Sequence, residues 1–135
     1  MSVRATGGCL CGGVRYEVRG PLRDVIVCHC GRCRRTHGHV AAYASCRPGD
    51  LVLLDDGGLR WYESDRRAQG FCGTCGSRLF WRAAGEDEVS VAAGTIDAPT
   101  GLATVAQIFT ADKGDYYEVS GEGERFRGSR RDAAP

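Results

Sequence analysis

Phe71-Cys72-Gly73-Thr74-Cys75-Gly76-Ser77 is the stretch on which the reading of this 135-residue chain turns. Two cysteines separated by two residues can present both thiolates to one zinc ion from a tight turn, with glycines at 73 and 76 letting the backbone bend its amides toward the sulfurs. Such a knuckle supplies two ligands, whereas a closed structural site needs four. The complementary pair is Cys9-x-Cys11, followed by Gly12-Gly13. On an extended segment residues i and i+2 face the same way, so both of its sulfurs can reach one ion.

Outward from these pairs lies a third cluster, Cys28-His29-Cys30-Gly31-Arg32-Cys33. It offers three thiolates, and three protein ligands plus an open position is the pattern of a catalytic zinc. Three thiolates around Zn²⁺ leave a charge of about −1, which Arg32, Arg34 and Arg35 are placed to offset while attracting an anion; the plainer reading of these arginines is a solvated loop. His29 is an alternative fourth ligand, although on an extended strand it points away from Cys28 and Cys30. Cys46 is another, closing a second structural site from beyond a predicted strand; as a lone cysteine on an apolar segment it reads instead as a small core residue.

Eight cysteines in an oxidising compartment would suggest disulfides, but pairs this close would close strained small rings. Met1–Gly13 lacks the apolar stretch of a secretory signal, and no apolar run is long enough to span a bilayer, so a cytoplasmic chain with reduced thiols is expected. The formal charge is only +1, with 18 basic against 17 acidic residues, so there is no basic field of the kind that coats nucleic acid or a membrane surface. All the basic residues except Lys113 are arginine, and arginine clusters bind phosphate well.

Twenty glycines against four prolines indicate many turns. Val14, Tyr16 and Val18 alternate with charged neighbours, the period of a half-buried strand. Further strands are predicted at 25–28, 40–45, 51–54, 59–62, 77–82, 89–93, 105–110 and 116–119, separated by turn signals such as Asp55-Asp56-Gly57-Gly58. The result is a small antiparallel all-β domain over residues 1–127, with one helical turn at Gly31–His37 as its best helical candidate. Residues 128–135, poor in apolar side chains, are expected to be a mobile tail.

Taken together, Cys9-Leu10-Cys11-Gly12-Gly13-Val14-Arg15-Tyr16, Cys28-His29-Cys30-Gly31-Arg32-Cys33-Arg34-Arg35, Arg67-Ala68-Gln69-Gly70-Phe71-Cys72-Gly73-Thr74-Cys75-Gly76-Ser77 and Gly94-Thr95-Ile96-Asp97 resemble the glutathione-dependent formaldehyde-activating enzymes, the CENP-V/GFA domain. The resemblance runs over about residues 7–119. It implies a β-rich Mss4-like fold with two Zn²⁺ per chain: a structural zinc on Cys9, Cys11, Cys72 and Cys75, and a catalytic zinc on Cys28, Cys30 and Cys33. The implied activity is that of a carbon–sulfur lyase acting on glutathione and formaldehyde or another electrophile, with Arg32, Arg34 and Arg35 expected to hold the glutathione carboxylates. The chain departs from the pattern late on, where Gln107-Ile108-Phe109 stands for an expected histidine before such a pair and Asp115-Tyr116 for an expected tryptophan. The competing function is a non-catalytic zinc-stabilised β module that binds a protein or nucleic-acid partner. Coordination number separates the two readings.

Overall fold

The computed structural model describes residues 2–130. In chain order the strands and the single α-helix are β1 (Ala5–Gly8), β2 (Val14–Val18), β3 (Arg23–Cys28), α1 (Gly31–His37), β4 (Ala41–Cys46), β5 (Leu51–Asp56), β6 (Leu59–Ser64), β7 (Arg67–Cys72), β8 (Arg78–Ala83), β9 (Val89–Ala92), β10 (Thr104–Ile108) and β11 (Glu124–Arg125). The all-β class expected from the punctuation therefore holds, and α1 spans the residues expected for it. No described helix is long and apolar enough to cross a membrane. The chain forms two compact units, one of residues 1–23 and 44–101, the other of 24–43 and 102–135. Along β4 the chain leaves the second unit at Tyr43 and enters the first at Ala44.

In the first unit β2 lies between β1 and β5, antiparallel to both. Its alternating sequence does what the period demands: Val14, Tyr16 and Val18 are wholly buried while Arg15 and Glu17 face outward. Strands β6 to β9 follow one another as antiparallel neighbours and bury Leu79, Phe80 and Val91. The Tyr16 and Phe80 rings meet edge to face with centroids 5.2 Å apart. Thr95 donates its hydroxyl to the Ala92 carbonyl, which leaves its oxygen to accept from the Tyr16 hydroxyl at 2.7 Å. Asp97, close by on the same segment, accepts from Thr6 and pairs with Arg15 at 2.7 Å. Through these bonds the Gly94-Thr95-Ile96-Asp97 motif ties the β1–β2 hairpin down. Gly7 is required there, because a Cβ would strike the Tyr16 hydroxyl and the Thr95 carbonyl.

In the second unit β3 runs parallel to β10, and β11 is parallel to β10 on its other side, so the sheet is mixed rather than purely antiparallel. Alternation alone carries no information on strand direction, which is why this pairing is not readable from the sequence. The buried apolar side chains described here are small, namely Val25, Ala41 and Ala106, and they are joined by buried His29 and Gln107. Three strands, β1, β7 and the two-residue β11, arise where no periodic signal predicts them. β1 is Ala-Thr-Gly-Gly, of low strand propensity, and β7 carries consecutive buried small or polar residues without alternation. Conversely, 116–119 forms no strand; its tyrosines are committed to histidines instead. Phe109 and Ala111 donate backbone bonds to Gly128 and Arg127, so hydrogen bonding reaches the first residue of the expected tail. Residues 131–135 of that tail lie outside the described range.

Burial pushes the Tyr16 phenol up to about 12. The folded state thus holds this proton more tightly than the unfolded state, and the contribution is complete below pH of about 10 and lost as pH rises toward 12. Chemical denaturation of wild type across that window is expected to show a loss of about 2–3 kcal/mol that Tyr16→Phe largely removes, at a neutral-pH cost of about 1 kcal/mol for the Thr95 bond. Parallel pH curves for the two proteins would refute the assignment.

Candidate metal centres

The first group of sulfurs is built by two turns of the first unit. Cys9 follows β1, and its own hairpin turns through Gly12 at φ +81°. Cys72 ends β7, and the knuckle closes through Gly76 at φ +79°, whose N–H donates to the Cys72 carbonyl at 2.8 Å. Ser77 staples the two together: its hydroxyl oxygen accepts from the Leu10 N–H at 3.0 Å. The Sγ atoms of Cys9, Cys11, Cys72 and Cys75 all lie within 4.8 Å of one another. Cys9–Cys11 and Cys11–Cys72 are 3.6 and 3.8 Å apart, against a sulfur–sulfur edge of about 3.8 Å for a zinc tetrahedron with Zn–S of about 2.3 Å. This donor set fits zinc. Backbone N–H groups of Val14 and Cys75 point at the Cys9 and Cys72 sulfurs at 3.2 and 3.5 Å, as thiolates require. Gly58 is the close approach in this site: a Cβ there would stand 2.9 Å from the Cys72 sulfur.

The second group belongs to the second unit. Cys28 ends β3 opposite Ile108, Cys30 caps α1 by accepting from the Cys33 N–H at 3.3 Å, and Cys33 sits in the first helical turn. Gly38, at φ +79°, ends the helix by donating to the Arg34 carbonyl. The three sulfurs lie within 4.8 Å of one another, and no fourth side chain joins them among the described residues. Neither alternative fourth ligand is in place. His29 is 4% exposed with Nδ1 2.6 Å from the Tyr117 hydroxyl and Nε2 2.7 Å from Gln107 Oε1, so both ring nitrogens are engaged. Cys46 joins neither group; it is buried in the first unit, where burial and then Asp50 push its thiol up to about 11.

The sulfurs of each group share protons when only sulfurs face one another. Bonds from Cys28 and Cys33 hold Cys30 down to about 2, while Cys30 pushes Cys28 up to about 11, and Cys28 and then Cys30 push Cys33 up as well. One thiolate is stabilised by two thiols. In the first group the Ser77 hydroxyl and amide hold Cys75 down to about 5. At Cys11 the Gly13 amide favours the thiolate, but the bonds to Cys9 and Cys72 prevail and raise it to about 11. A divalent cation removes the repulsion that forces these protons on, so binding releases them.

The three arginines are placed unequally. Arg34 Nη1 donates to the Asp112 carbonyl at 3.1 Å, Arg32 is half-buried, and Arg35 is exposed. The same unit holds a ring cluster in which the sequence singled out only Tyr116, within the departure at Asp115-Tyr116, and His29. Tyr116 bonds to His39 Nδ1 at 2.7 Å, Tyr117 packs on His29, His39 and Tyr116, and Lys113 donates to the Tyr117 carbonyl at 2.6 Å.

Cys72→Ser is expected to lower metal content and to cost solubility, since structural zinc binding is folding energy of about 10 kcal/mol or more. Cys30→Ser should lower metal content by the same amount yet leave a folded first unit, read by near-UV dichroism of the buried Tyr16–Phe80 pair. Equal folding of the two variants would overturn the division into a structural and an open site.

Residues 4–112 match the family described as glutathione-dependent formaldehyde-activating enzyme. Among solved structures, a Rhodobacter sphaeroides protein is similar, with 28% identity and a TM-score of 0.59 over 69% of this chain and 88% of that one. Comparison with curated proteins gives no match. With the match spanning most of the chain and carrying both sets of cysteines, the chain belongs to the glutathione-dependent formaldehyde-activating enzyme family.

Proposed function

We propose that the chain is a cytoplasmic zinc-dependent carbon–sulfur lyase that joins glutathione to formaldehyde, or to a related electrophile, forming S-hydroxymethylglutathione in the parent case. The observation that carries this reading is the three-sulfur group Cys28, Cys30 and Cys33, which has no fourth protein ligand among the described residues. Cys9, Cys11, Cys72 and Cys75 would hold the second, structural zinc. Zinc at the trio supplies a Lewis-acidic position that lowers the pKa of a thiol and presents it as thiolate at neutral pH.

The reaction needs an S–C bond between the glutathione sulfur and the aldehyde carbon, with the thiol proton lost and one proton gained by the former carbonyl oxygen. The residues of this chain prepare those events in distinct ways. Cys28, Cys30 and Cys33 would hold the ion on a turn fixed by the helix cap and by the His29 N–H bond to Ile108. His29, with both ring nitrogens engaged by Gln107 and Tyr117, would not be a further ligand, which would leave room for the substrate thiol. The glutathione carboxylates find cationic partners on α1, Arg35 being exposed to solvent and Arg34 tethered by one nitrogen to Asp112, while Arg32 adds to the local field.

Two metal ions per chain are expected, one of which changes its cobalt-substituted thiolate absorption when glutathione is added. Two glutathione-insensitive ions would favour the non-catalytic module. Arg35→Ala is expected to raise the glutathione concentration for half-maximal rate by about 5- to 50-fold with little change at saturation, the loss of roughly 1–2 kcal/mol of charge-assisted bonding. An unchanged concentration dependence would remove Arg35 from substrate binding.

A further inference from the structure

Gln107 occupies a position from which it dictates the state of its neighbours. It is 4% exposed on β10, in register with Val27 of β3 and one residue before the partner of Cys28. Its amide nitrogen lies 3.0 Å from both the Ser120 and the Glu122 carbonyl oxygens. Carbonyl oxygens only accept, so the NH₂ group must face them and Oε1 must face His29. An amide oxygen also only accepts, so His29 Nε2 carries a proton. In the neutral imidazole the lone pair is then on Nδ1, and it accepts from the Tyr117 hydroxyl. Two backbone carbonyls, through one glutamine, thus select the histidine tautomer and the direction of the tyrosine O–H.

We propose that Gln107 is the positioning residue of the three-thiolate site: by holding His29 as the Nε2–H tautomer it anchors the turn between Cys28 and Cys30 and docks Tyr117 beside it. His29 is the residue between two of the sulfurs, and its backbone N–H is itself bonded to Ile108 at 3.0 Å. With ring and backbone both tied to β10, the directions in which Cys28 and Cys30 leave the chain are set from outside the cluster. Residues that orient ligand-bearing segments in this way commonly account for about 10- to 100-fold in metal affinity. The small apolar content of this unit makes the contribution larger, because Val25, Ala41 and Ala106 offer little packing to hold the turn instead. The consequence for glutathione chemistry rests on the function proposed above; the tautomer and the metal affinity do not.

The test uses the full zinc-loaded chain with ¹⁵N-labelled histidine. Wild type is expected to show His29 as Nε2–H with a hydrogen-bonded, unprotonated Nδ1. In Tyr117→Phe the Nε2–H signal should persist while Nδ1 moves to the position of a free lone pair. In Gln107→Met, which keeps length and removes both polar atoms, the single tautomer should be lost, and chelator competition should show the zinc of the trio held about 10- to 100-fold more weakly while the four-cysteine zinc is unchanged. An Nδ1–H tautomer or a metal-bound ring nitrogen in wild type would overturn the proposal even if Gln107→Met did not fold. So would an unchanged zinc affinity in a folded Gln107→Met. If glutathione leaves the cobalt spectrum of wild type unaltered while Gln107→Met still loses zinc, the positioning role stands and the lyase reading fails.

Discussion

Thiolates repel one another, and a chain that folds four sulfurs into one cluster and three into another has placed that repulsion at two points. With sulfurs alone, thiols that keep their protons stabilise a thiolate beside them, as the depressed Cys30 beside raised Cys28 and Cys33 illustrates. A divalent cation replaces those protons and turns the repulsion into a crosslink. In the first unit such a crosslink would join the β1–β2 hairpin to the end of β7, elements far apart in sequence that also share the Leu10–Ser77 bond. In the second it would join the end of β3 to the first turn of a seven-residue helix, too short to be stable unaided.

The two clusters differ in their surroundings. The four-cysteine group offers four donors by itself, and at position 58 a Cβ would crowd the Cys72 sulfur. At the trio, His29 lies between two of the cysteines in sequence and is bonded to Gln107 and Tyr117, Tyr117 packs on His39, and the helix that carries Cys33 also carries Arg34 and Arg35. A buried histidine between two ligands would compete for the metal if its nitrogens were idle. Here each is already bonded, so hydrogen bonds made elsewhere occupy both of its nitrogens, and the group numbers three sulfurs among the described residues.

Gln107 and Asp115-Tyr116, which differ from what the resemblance led one to expect, meet in one neighbourhood of the second unit: Gln107 bonds to His29, Tyr117 packs on His29, and Tyr116 contacts Tyr117 and His39.

The sequence by itself determined the three short cysteine motifs, the alternating face of β2 and the helical turn after Cys30, because each depends on spacing over a few residues, and the β class from the regular succession of short strands; it matched the first motif to the last by counting ligands. It could not determine the parallel pairing of β3 with β10, the strands β1, β7 and β11, or the fate of 116–119, since pairing partners and burial come from residues distant along the chain. It left His29 and Cys46 open as fourth ligands. Only the tertiary structure decided both, by giving each His29 nitrogen a partner some 80 residues away and by burying Cys46 in the unit that does not contain the trio. Ligand sets built from one short segment are written locally; what is kept away from the metal is decided by contacts that local sequence does not encode.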